Sequence, residues 1–130
     1  MTESDFDVLM REVMGSADRF GHREHIHLTW LAVRRYGVAA AIDVVSDGIQ
    51  RTARYAGRPQ KYHATMSRAW VALVAHHTDE RDDSFDEFLS GCPDLLDKRL
   101  LGRHYRSAVL ASAEARSGWV EPDLLPLPLA

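Results

Sequence analysis

Three of the seven histidines, His22, His25 and His63, have types and spacings that could do chemistry. Imidazole titrates near neutral pH, so a pair in a pocket can both donate and accept protons under working conditions. The same groups could instead hold a divalent transition metal. Two histidines at i and i+3 share a helix face, and a third from another helix would leave an open coordination position, the arrangement of catalytic zinc sites. Glu12 or Glu24 could add a carboxylate. His-x-x-His lacks the fixed partner of a His-Glu-x-x-His motif, so spacing alone does not choose between the two chemistries. A histidine on an apolar stripe can equally be a hydrogen-bonded core residue, and one at a helix start can cap it.

The elements that must position these rings read as helices throughout. Ser4 or Asp5 is expected to cap a first helix carrying Phe6, Leu9, Met10 and Val13, ended by Gly15. A second helix is expected from His22 to Tyr36, closed by Gly37, and a third from Val38 to Ala56, with Gly48 a weak point inside it and Gly57 after it. Residues 58–62 read as a loop around Pro59. A fourth helix is expected over 63–78, short helices over 84–90 and 93–101, and partial helix over 103–118. The proline-rich tail from Trp119 is expected to run extended across the molecule. The fold class is therefore all-α: one helical bundle over residues 1–130, with four main helices, short C-terminal helices and an extended tail.

A helix turns about 100° per residue, which gives each histidine a direction. His22 and His25 continue the stripe of Ile26, Thr29, Trp30 and Val33 and should face inward, whereas His27 should face water. His63 and His77 lie on the stripe of Met66, Trp70, Leu73 and Val74, and His76 points away. Short connections favour antiparallel neighbours, which makes the second and fourth helices parallel and brings His22, His25 and His63 to one end, with His77 at the other. The end of the first helix (Glu12, Met14), the end of the third (Arg51, Arg54, Tyr55) and the loop Arg58–Tyr62 should lie nearby. Two helix N-termini there favour an anion. Tyr62 would join the three histidines as a catalytic group, with Lys61, Arg54, Tyr55 and Arg58 binding substrate.

Composition sets limits on the rest. A formal charge of −3 leaves no global field for a polyanion, and the run Arg51, Arg54, Arg58, Lys61 reads as a solvated helix face, so nucleic acid is not an expected partner. No apolar stretch approaches the roughly 20 residues needed to span a bilayer. The single cysteine, Cys92, and an acidic start without a signal-peptide pattern suit the cytoplasm. No nucleophile elbow, glycine-rich phosphate loop or EF-hand loop occurs.

Phe20-Gly21-His22-Arg23-Glu24-His25 followed by Leu28 and Trp30, Lys61-Tyr62-His63 with Thr65, Pro93-Asp94-Leu95-Leu96, and Trp119-Val120-Glu121-Pro122-Asp123 with Pro126-Leu127-Pro128 resemble the pattern of a family of small all-helical bacterial proteins. The resemblance implies a shared fold and site but no reaction, and that pattern carries a glutamate where this chain has Ala64. The expectation is a small-molecule enzyme performing proton transfer, elimination, isomerisation or cyclisation on an anionic substrate, by acid–base or metal-assisted chemistry. The alternative is a ligand-binding or protein-interaction module whose histidines are structural.

Overall fold

The computed structural model describes residues 4–128, which form seven α-helices and three 3₁₀ turns, with no strand among them. Helix α1 spans Asp5–Met14, and the Ser4 hydroxyl accepts from the Asp7 N–H at 3.2 Å, satisfying one of the free donors at its start. Its buried residues Phe6, Leu9 and Val13 recur at helical spacing. Helix α2 spans His22–Tyr36, and the Glu24 carboxylate turns back to accept from the Gly21 N–H at 2.9 Å. Gly37, at φ 83, lets the chain leave α2 in a conformation that side chains disfavour, and α3 follows at once over Val38–Tyr55.

Helix α4 spans Ala64–His77, α5 Phe85–Gly91, α6 Ser107–Leu110 and α7 Ala113–Ser117. The segment expected as a loop contains a 3₁₀ turn at Pro59–Lys61, with proline in the position where its missing N–H costs nothing. Residues 93–101 do not form one helix. They form 3₁₀ turns at Pro93–Leu96 and Leu100–Arg103, because the Asp97 carboxylate between them captures the Arg99 N–H at 2.9 Å and so competes with helical bonding.

Contacts at the helix ends give the directions. The Arg34 guanidinium at the end of α2 reaches the Asp82 carbonyl just beyond α4, and the His22 ring at the start of α2 lies 4.7 Å from the Trp70 ring of α4. Helices α2 and α4 therefore run in the same sense. So does α1: Glu12 near its end pairs with Arg35 at 2.6 Å, and Ser4 at its start meets Arg51 of α3 at 3.1 Å. The connection 15–21 carries the chain back along the helix, so Glu12 and Met14 lie away from the start of α2. The expectation that they sit near the histidines assumed an antiparallel turn there.

The C-terminal residues are tied down through polar groups. Thr65, fully buried, donates to the Gly118 carbonyl at 2.7 Å and accepts from the Val120 N–H at 3.1 Å. The Tyr105 hydroxyl donates to the Val120 carbonyl at 2.7 Å, and the Arg68 guanidinium stacks over the Trp119 ring.

Candidate functional site

A cavity of about 860 Å³ opens between α1, the end of α3 and the starts of α2 and α4. Its size falls in the range that holds small organic ligands. His22, His25, His63, Tyr62, Lys61 and Arg58 all line it. Arg54 and Tyr55 do not: both are exposed at the end of α3, Tyr55 by 97%, and Thr52, Ala53 and Ala56 line the wall in their place. At this end of α3 the two residues fall on the turn's outer side, which the coarse convergence of helix ends could not resolve. Lys98, between the two C-terminal 3₁₀ turns, is a lining residue that sequence reasoning missed. Only its position next to the Pro93–Leu96 motif offered a signal, and nothing in that motif pointed toward the histidines.

The three histidines have different hydrogen-bonding roles. His63 is the N-cap of α4: its Nδ1 accepts from the Met66 N–H at 3.0 Å, so Nε2 carries the proton that it donates to the Leu110 carbonyl at 2.6 Å. Both ring nitrogens are committed. His22 donates through Nε2 to the Leu95 carbonyl at 2.8 Å, leaving Nδ1 as its accepting nitrogen when neutral. His25, whose ring centroid is 6.4 Å from that of His22, has a buried Nε2 without a partner. Burial, with a smaller effect of His22, pushes its pKa down to about 4, so the ring is neutral at physiological pH.

Among the described residues no three His, Cys, Asp or Glu side chains are arranged to hold a metal ion. The three-imidazole set expected at His22, His25 and His63 does not form, because backbone groups occupy His63 on both sides and His22 on one. The two carboxylates considered as extra ligands are also engaged, Glu24 at the Gly21 N–H and Glu12 with Arg35.

The other histidines correct or refine their expected positions. His27 is not turned to water. It stacks flat on Phe85 of α5, with centroids 4.2 Å apart and an interplanar angle of 4°, because the short helix after α4 folds over that face. His77 is exposed together with His76, beyond the buried part of the α4 stripe, and His104 bonds the Leu125 carbonyl through Nδ1 at 2.9 Å. Cys92 is buried with its thiol against the Phe88 carbonyl, and burial pushes its pKa up to about 11, which makes it a poor nucleophile.

The electrostatics of the cavity are one-sided. Arg58, Lys61 and Lys98 are exposed at its rim, none has a carboxylate partner among the described residues, and no aspartate or glutamate lines the cavity. Comparison with known protein families, curated proteins and solved structures finds no match. No helix among the described residues is long and apolar enough to cross a membrane.

Proposed function

We propose that the protein binds a small organic anion in this cavity. The supporting observation is the pairing of a ligand-sized cavity with three cations at its rim that have no carboxylate partner, and no lining carboxylate, among the described residues. Exposed cations gathered around one concave space favour a carboxylate or phosphate there. We also infer a single helical domain whose four longer helices hold the cavity while the C-terminal segments brace it. It works in the cytoplasm on a small molecule rather than on nucleic acid or membrane.

The test is a thermal-shift and calorimetric screen of carboxylates and phosphates against the wild type and an Arg58→Glu/Lys61→Glu/Lys98→Glu variant. Ligands should raise the melting temperature of the wild type, as binding to the native state requires, and leave the folded variant unaffected. Equal responses from both proteins would overturn the proposal.

The neutral, unpartnered His25 beside His22 favours a second reading, in which the bound anion also undergoes proton transfer. Nδ1 of His22 is then the base, held in orientation by the Leu95 carbonyl, with Tyr62 at the wall as a proton donor. Deuterium exchange into acidic C–H positions of bound ligands in heavy water, followed by proton NMR, tests it. Exchange in the wild type that disappears in His22→Gln supports catalysis. Saturable binding without exchange leaves a binding module.

A further inference from the structure

Several polar groups that line the cavity are satisfied by the protein itself, while Nδ1 of His22 and Nε2 of His25 stay open, so the wall offers a ligand few polar partners. His63 spends both nitrogens on backbone groups. The Ser67 hydroxyl pairs with Ser46 at 3.1 Å, and Thr52 donates to the Gly48 carbonyl at 2.9 Å. Around them stand Phe6, Met10, Ile49, Met66 and Trp70. A sugar or nucleotide placed there would find two open imidazole nitrogens and leave most of its hydroxyls unpaired, at a cost that a few rim contacts would not recover. An apolar body needs no such partners against Phe6, Met10, Ile49, Met66 and Trp70, and gains from leaving water.

Charge is arranged in the opposite way. All three cations, Arg58, Lys61 and Lys98, are exposed at the edge, on two chain segments far apart in sequence. Seven other arginines (Arg23, Arg35, Arg51, Arg81, Arg99, Arg103 and Arg106) pair with carboxylates, whereas the three cations at the rim have no such partner among the described residues and share one concave space. Phe20, 37% exposed, sits at the cavity edge with its ring 6.5 Å from that of His25, an apolar wall at the entrance.

We infer that the ligand is an amphiphile, an alkyl or acyl chain ending in a carboxylate or phosphate, bound with its head at Arg58, Lys61 and Lys98 and its chain directed inward against Phe6, Met66 and Trp70. The inference rests on the anion-site reading above and narrows it to a class. The head is interchangeable between the two acids, whereas the apolar chain is required.

Calorimetric titration of the full chain with acetate, hexanoate, decanoate, decyl phosphate, decanol and ribose 5-phosphate tests it, with all amphiphiles kept below their aggregation concentrations. Affinity should rise by about two- to fourfold per added methylene, as burial of each such group implies. Decanoate should therefore bind more than tenfold tighter than hexanoate, and ribose 5-phosphate more than tenfold more weakly than decyl phosphate. Decanoate tighter than decyl phosphate would identify a carboxylate source, and the reverse a phosphate source; either order supports the inference. Arg58→Ala/Lys61→Ala/Lys98→Ala should weaken decanoate at least tenfold and leave decanol unchanged, whereas Ala53→Trp, which fills the cavity, should weaken both. Equal affinity across the chain-length series, or ribose 5-phosphate matching decyl phosphate, would overturn the amphiphile while leaving the anion site standing. Failure of every anion to bind would remove both.

Discussion

Nδ1 of His63 accepts a hydrogen bond from the Met66 backbone N–H at 3.0 Å, so a residue whose type and position suggested catalysis acts as the cap of α4. Its other nitrogen holds the Leu110 carbonyl, which joins the start of α4 to the C-terminal part of the chain. His63→Ala should therefore cost about 2–3 kcal/mol, the sum of a lost cap and a part-buried carbonyl left unpaired. His63→Asn keeps an accepting oxygen at the cap and should recover roughly 1 kcal/mol of this loss. Urea denaturation of the three proteins measures both effects, and an alanine variant as stable as the wild type would contradict the capping role.

Acid should destabilise the protein through His25. The folded-state pKa of about 4 lies below the ordinary value of 6.5, so the unfolded chain binds the extra proton first as pH falls. No penalty exists above pH 6.5. It grows from there down to about pH 4 and reaches about 3 kcal/mol once both states are protonated. His25→Leu should lose most of this slope. Some remains, because burial, with Arg23 adding to it, also lowers the pKa of His27. Denaturation free energies at pH 7, 5.5 and 4 make the comparison, and parallel slopes for variant and wild type would contradict it.

Gly48→Ala should be destabilising even though alanine is the better helix former. A Cβ at Gly48 would collide with the ring of Phe6, which packs directly on the backbone of α3. The displacement should cost about 1–3 kcal/mol, outweighing the roughly 1 kcal/mol gained from helix propensity. Shortening the ring in Phe6→Leu/Gly48→Ala should make the alanine far less costly than it is in the wild-type background. A double-mutant cycle of melting temperatures reads the coupling.

Thr65→Val keeps the shape of the side chain but orphans the Gly118 carbonyl and the Val120 N–H. The expected loss is about 2–3 kcal/mol, with faster amide exchange at Val120, whereas Thr65→Ser should retain both bonds. Hydrogen exchange followed by NMR checks the local effect separately from global stability.

Much of the fold was legible because local rules and tertiary structure agree. Gly37 and Gly57 sit at positive φ where the chain leaves a helix, and the buried faces of α1 and α4 follow the stripes read from Phe6, Leu9 and Val13 and from Trp70, Leu73 and Val74. Disagreements arise where a distant element intervenes. His27 lies on the polar side of α2 taken alone, but Phe85 folds over it. Arg54 and Tyr55 reach the right end of the molecule and the wrong face, and Lys98 arrives from a segment with no periodicity to place it. The roles of the histidine nitrogens were least legible, because they depend on the carbonyls of Leu95 and Leu110, far along the chain.

The most direct test of the central claim is a crystal structure with a terminally brominated octanoate, the halogen located by its anomalous scattering. The carboxylate should lie within hydrogen-bond reach, about 3 Å, of at least two of Arg58, Lys61 and Lys98, with the bromine inside the cavity near Phe6 and Trp70. A carboxylate buried against His25 with the bromine at the rim, or a ligand bound only outside the cavity, would contradict it.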